Sequence, residues 1–169
     1  MAIAARSGDS AALASLYKGY GPSVLGFLHH LVKDRNLAED LLHDTFLRLF
    51  EGRGKWRPDG QVKPWLFTVA RHLAIDSLRT AKRHQEMENK IDPGHIMGST
   101  AAADTDGLKT FVEQTLASLP PVYATTFHLR MSQEFTYPEI AAICGEPEGT
   151  LRSRVHHTLG LLRKRLEKG

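Results

Sequence analysis

At 169 residues with 41% hydrophobic side chains, the chain has material for one domain or two small ones with packed cores. No apolar run approaches the roughly 20 residues of a membrane span, which excludes membrane insertion. The first residues lack a charged-then-apolar signal pattern, so a cytoplasmic location is expected. The net charge of +3 is too small to define a partner, and the single cysteine, Cys144, excludes an internal disulfide.

In chain order, Leu13, Leu16, Tyr17, Tyr20, Val24, Leu25, Leu28 and Leu31 keep helical spacing between Ser10 and Val32. Gly21-Pro22 interrupts the pattern, which predicts two helices or one strongly kinked one. Asp34-Arg35-Asn36 reads as a turn, and Asn36 with Glu39 as a capping box for a helix from Leu37 to about Glu51. That helix is expected to bury Leu41, Leu42, Thr45, Phe46 and Leu49. Glu39, Asp40, His43, Asp44, Leu47 and Arg48 remain for its other faces, as a protein-docking surface or simply as a solvated one.

Residues 52–62 carry Gly52, Gly54, Pro58 and Gly60 and read as a loop. Trp56 in this loop either plugs a nearby core or stacks on a base, with Arg57 beside it. A helix is then expected from Pro64 to about His84, burying Leu66, Phe67, Val69, Ala70, Leu73, Ala74 and Leu78. Lys63, Arg71, Arg79, Lys82 and Arg83 against Asp76 give this stretch a net +4. Basic side chains beside aromatic rings suit single-stranded DNA, charge meeting phosphates and flat rings meeting bases.

The charge reverses over residues 85–107, where Lys90 stands against Glu86, Glu88, Asp92, Asp104 and Asp106. Low periodicity with Gly, Ser, Thr and an Ala run marks this segment as a flexible linker. Helical spacing returns at Leu108, Phe111, Val112, Thr115, Leu116 and Leu119. Pro120-Pro121 ends that helix, and another runs from Val122 to Met131.

From Thr136 to Leu166 the pattern is more specific. Thr136 and Glu139 form a capping box, and Pro138 fits only a first helical turn. Ile140, Ala141 and Cys144 give this short helix an apolar face, which makes Cys144 a buried structural thiol. Gly145 suits the bend that follows. A long basic helix then carries Leu151, Val155, Leu159, Leu162 and Leu166 as one stripe, with Thr150, Arg152, Ser153, Arg154, His156 and His157 elsewhere. A short apolar helix, a Gly turn and a helix with exposed Arg and Ser describe a helix-turn-helix, whose second helix enters a DNA major groove. An ordinary helical hairpin with a solvated basic face shares much of this pattern. Between Pro147 and Gly169 the net charge is again +4. Two basic stretches on either side of an acidic one suggest two phosphate-facing surfaces.

Four motifs in order carry a family resemblance. They are Ala38-Glu39-Asp40-Leu41-Leu42 leading to Phe46-Leu47-Arg48-Leu49-Phe50; Pro64-Trp65-Leu66-Phe67 with Ala70-Arg71, Ala74-Ile75-Asp76, Leu78-Arg79 and Lys82-Arg83; Leu116-Ala117-Ser118-Leu119-Pro120-Pro121; and Glu139-Ile140-Ala141 with Gly149-Thr150-Leu151-Arg152-Ser153-Arg154. The chain resembles the extracytoplasmic-function group of bacterial RNA polymerase sigma factors. The resemblance implies an all-α fold of two small domains, a region 2-like bundle over residues 1–84 and a region 4-like helix-turn-helix domain over 108–169, joined by the linker. It implies polymerase docking through Glu39, Asp40, His43, Asp44, Leu47 and Arg48. The −10 promoter element would be captured by Trp56, Arg57, Lys63, Arg71, His72, Asp76 and Arg79, and the −35 element read by Thr150, Arg152, Ser153, Arg154, His156 and His157. Core polymerase, promoter DNA and an anti-sigma protein are the implied partners, with no cofactor, no metal and no catalytic role.

The chain departs from the family pattern in several places. His43 stands where Gln is usual, His72 where Asn is common, and His157 where Arg is common. The usual charged start of region 4 is missing around Val122–Thr126, and Pro147 replaces a typical Ser N-cap, so the recognition helix is expected to start at Pro147. A dimeric helix-turn-helix regulator acting without polymerase is the alternative, though it leaves the Glu39–Asp44 face and the Trp56 loop without a role. A strand-processing enzyme would need a nucleophile paired with a base or an acidic cluster at metal spacing, neither of which is visible. Sensing by His29-His30 or His156-His157 is disfavoured, because adjacent helical residues point roughly 100° apart.

Overall fold

A computed structural model describes residues 10–51, 62–88 and 107–167. The described residues form seven helices and no strand: α1 Ser10–Val32, α2 Arg35–Glu51, α3 Val62–Glu88, α4 Gly107–Ala117, α5 Pro121–Met131, α6 Tyr137–Cys144 and α7 Glu148–Leu166. Helices α1–α3 belong to one compact unit and α4–α7 to another. Residues 89–106, most of the expected linker, and the Trp56–Arg57 loop lie outside the described residues.

In the first unit α1, α2 and α3 pack pairwise. Val24, Phe27 and Leu28 of α1 meet Ala38, Leu42 and Leu49 of α2 and Leu66, Phe67 and Ala70 of α3, all buried. Phe27 and Phe67 stack tilted at 5.1 Å and anchor this core. Of the two outcomes expected at Gly21-Pro22, the chain takes the single helix: α1 runs through Pro22. An internal proline costs about 3 kcal/mol. Leu16 before it and Val24, Phe27 and Leu28 after it are buried, each contributing about 1.5–3 kcal/mol, so burial on both sides outweighs the break.

Two expectations are corrected. The cap of α2 is Asp34, whose Oδ1 accepts from the Leu37 amide at 2.9 Å; Arg35 and Asn36 are already helical. Asn36 cannot cap the helix because it already lies in its first turn, and Glu39 accepts from Arg35 at 3.0 Å. On α3, Leu78 is 42% exposed, and residues 78–87 are exposed throughout, since the helix outruns the helices it packs on.

In the second unit, α5, α6 and α7 surround Phe127, Leu129, Phe135, Ile140, Ile143, Leu151 and Val155, while α4 packs on α5 and α7. Arg165 of α7 donates to the hydroxyls of Thr115 and Ser118 at 3.2 Å each, tying the end of α7 to α4. The inner face of α7 is Leu151, Val155, Thr158 and Leu162; the expected Leu159 and Leu166 are 43% and 58% exposed. Thr158 can occupy the inner position because its hydroxyl donates to the Arg154 carbonyl one turn back, at 2.9 Å.

Candidate nucleic-acid interface

The second unit's surface is set by α6, the turn and α7. The capping box of α6 forms as expected: the Thr136 amide donates to Glu139 Oε2 at 2.8 Å, and the Glu139 amide faces Thr136 Oγ1 at 3.5 Å. Gly145 closes α6 in the left-handed region, φ 69°, with its amide on the Ala141 carbonyl. That conformation is cheap only for a residue without Cβ, so this position holds the turn at low cost. Cys144, expected to be buried, is half-buried beside it.

Helix α7 begins at Glu148, one residue later than expected. Pro147 is its N-cap, extended at φ −62° and ψ 141°, and provides no side-chain cap bond. Thr150, Arg152, Ser153, His156 and His157 are exposed, and Gly160 continues their side of the helix with open space around it. Arg152 is held ready rather than loose. It donates to Glu148 at 3.1 Å, and its guanidinium lies 5.1 Å from the centroid of the Tyr137 ring. Arg130 approaches the same ring at 5.4 Å and also donates to the Phe135 carbonyl. His157 meets Tyr123 edge-on at 5.5 Å.

Arg154 does not join this outward group. Its side chain is 15% exposed and donates both guanidinium prongs to Glu146, at 2.8 and 2.5 Å. The hydrogen bond and charge of Glu146 hold the guanidinium above its ordinary pKa, against the lowering that burial imposes. Arg154 also lies 5.9 Å from the Tyr123 ring centroid. Glu146, Tyr123 and Tyr137 carry no signal in local spacing: Glu146 lies in the turn outside both helices, so no helical repeat links it to Arg154, and the two tyrosines meet α7 only through the fold.

In the first unit, Glu39, Asp40, His43, Asp44, Leu47 and Arg48 are all exposed on α2. Leu47 and Phe50 are 45% and 44% exposed, and Phe46 stacks on Tyr17 at 4.8 Å, so the acidic face has an apolar border. On α3, His72, Asp76 and Arg79 are exposed along one stripe, whereas Lys63 and Arg71 are half-buried. Trp56 and Arg57 lie outside the described residues.

Comparison with known proteins matches residues 16–84 to Sigma-70 region 2 and residues 112–162 to Sigma-70 region 4. CarQ, an RNA polymerase sigma factor of Myxococcus xanthus, is 33% identical across 95% of this chain and 92% of its own. The chain is an extracytoplasmic-function sigma factor. SigC of Mycobacterium tuberculosis, a sigma factor of this group, is 29% identical over 92% of this chain and 83% of its own. Among solved structures, the sigma factor RpoE from Bartonella quintana, in complex with the anti-sigma factor NepR, superposes with a TM-score of 0.72. That match is 25% identical and covers 91% of this chain and 96% of the other. This sigma factor therefore directs core RNA polymerase to promoters, and α1–α3 and α4–α7 are its region 2 and region 4 units. No helix among the described residues is long and apolar enough to cross a membrane.

Proposed function

We propose that the two units divide promoter recognition between them, residues 1–84 docking on polymerase and opening the −10 element, and residues 108–169 reading the −35 element. The observation that carries this reading is the outward face of α7. Thr150, Arg152, Ser153, His156 and His157 stand exposed on a helix whose opposite side is buried in its own unit. On α2, the exposed Asp40, His43, Asp44, Leu47 and Arg48 form the polymerase-docking face, with apolar Leu47 and Phe50 supplying area to bury. His72, Asp76 and Arg79 of α3 line the path of the separated strand, together with Lys63, Arg71 and the Trp56–Arg57 loop.

Neither unit needs tight DNA binding of its own. Non-specific phosphate contact has Kd on the order of 10⁻⁴–10⁻⁶ M, and holding both units on one polymerase makes the second DNA contact effectively intramolecular. Trapping of bases by the first unit offsets an unstacking cost of a few kcal/mol. The protein acts without a catalytic step of its own, works in the cytoplasm, and is held inactive by an anti-sigma protein that covers its polymerase-binding surfaces. The solved complex of its relative with an anti-sigma factor supports that last point.

Run-off transcription with core polymerase on a promoter library tests the division. Transcripts should depend on two separated sequence blocks, and substitutions in α7 should alter preference only in the upstream one. A purified chain that ignores core polymerase in a pull-down, with no inhibitor present, would overturn the reading in favour of a dimeric regulator.

A further inference from the structure

Arg154 lies within the recognition helix, directly after the outward-reaching Arg152 and Ser153, yet it is spent inside the domain. Its 15% exposure contrasts with the 63% of Arg152 two positions earlier. Its two bonds reach back eight residues to Glu146, in the turn between α6 and α7. Arg–carboxylate bonds of this forked kind fix orientation as well as distance. Pro147, the N-cap of α7, provides no side-chain cap bond, so the fork to Glu146 holds the turn at the point where a capping side chain would otherwise act. The guanidinium also lies on Tyr123 of α5, and Tyr123 touches His157 on the outward face.

We propose that Arg154 is a positioning residue: by clamping Glu146 it sets the angle at which α7 leaves the turn, and so the register of Arg152, Ser153 and His156 on the −35 bases. This rests on the reading of α7 given above. The lever is long. His156 stands nine residues beyond Pro147, roughly 13 Å along the helix at about 1.5 Å per residue. A tilt of about 10° at the turn therefore moves it by about 2 Å, several times the roughly 0.5 Å within which a binding group must be held. Tyr123 extends the same restraint to His157.

The test uses the full chain bound to core polymerase, on its preferred promoter and on variants with single −35 base changes. The variants are Arg154→Lys, which keeps the charge and loses the fork, and Glu146→Gln, which removes no positive charge. Each should cut discrimination between preferred and altered −35 sequences about tenfold, within the range that one mismatched pair supplies. The double variant should do no more than either single, because the two side chains act as one unit. Arg154→Gln should leave the slope of log affinity against log salt unchanged. Glu146→Asp, which retains the charge but shortens the reach, should repeat the loss and serves if Glu146→Gln lowers helicity by circular dichroism.

A direct phosphate contact would give the opposite pattern. Glu146→Gln would then discriminate like the wild type, and Arg154→Gln would reduce the salt slope by about 0.9; either result overturns the proposal. A wild-type protein indifferent to −35 changes would overturn the assignment of α7 itself and the clamp with it. Discrimination retained in all the variants would overturn the clamp alone.

Discussion

Arg152→Ala separates recognition from folding in α7. Its side chain is 63% exposed and its Glu148 partner 41%, so their one-turn pair contributes only about 0.3–0.5 kcal/mol. The Tyr137 ring at 5.1 Å adds about 0.5–1 kcal/mol for an exposed cation–π contact. Alanine, the best helix former, returns a few tenths. The net loss of stability is about 1 kcal/mol, a fall in melting temperature of about 4–8 °C for a domain of this size. At the promoter, a bidentate contact from Arg152 to one base discriminates by about 1–3 kcal/mol, roughly 5- to 150-fold. Run-off transcription over a series of −35 substitutions should therefore lose its preference at one base position, with the others retained. Arg152→Lys should fall between, since an ammonium keeps the charge without the fork. If Arg152→Ala transcribed as well as wild type from every promoter carrying the preferred −35 sequence, the placement of α7 would be wrong.

Three further outcomes follow from particular contacts. Leu47→Ala should weaken capture by core polymerase by about 1 kcal/mol, roughly fivefold in a titration, because burying its exposed 45% realises about half of a leucine's transfer energy. An unchanged Kd would remove α2 from the docking surface. Gly145→Ala should destabilise the second unit by about 1 kcal/mol in chemical denaturation. A Cβ there meets nothing within 4 Å, so the cost is that of the left-handed backbone alone, and Gly145→Asn should cost less. Phe67→Ala should cost about 3–5 kcal/mol by emptying the ring that stacks on Phe27, and should lower the melting temperature of the first unit. Retention of the wild-type melt would contradict the core described here.

Features governed by neighbours in sequence were legible before the fold was known. The Thr136–Glu139 box and the Gly145 turn each depend on a few adjacent residues, and both form as expected. Where a local rule had competitors, the structure chose another solution. Asn36 and Asp34 are both able caps, and the helix takes Asp34, whose carboxylate accepts from the Leu37 amide. Leu159 outranks Thr158 in hydrophobicity, but the helical repeat through Leu151, Val155 and Leu162 passes through 158, and a threonine can satisfy its hydroxyl on its own helix.

The candidate surface was less legible than the fold, and Arg154 shows why. Charged side chains are nearly always exposed, so an arginine between Ser153 and Val155 reads as a contact for an outside partner. Only the return of the chain through the turn brings Glu146 within reach. The Phe27–Phe67 stack and the Tyr137 platform beneath Arg130 and Arg152 likewise join residues far apart in sequence, and spacing carries no record of them.

The buried threonines bear on heat tolerance. Thr45, Thr126 and Thr158 each donate to a carbonyl four residues back on their own helix, and none of these three bonds crosses between helices. Valine at these sites would remove the hydroxyl together with its bond, and the carbonyl it leaves keeps its helical amide partner. Both units therefore hold unused thermal reserve at positions remote from the exposed faces of α2 and α7, available to a descendant in a hotter habitat without renegotiating either polymerase or promoter.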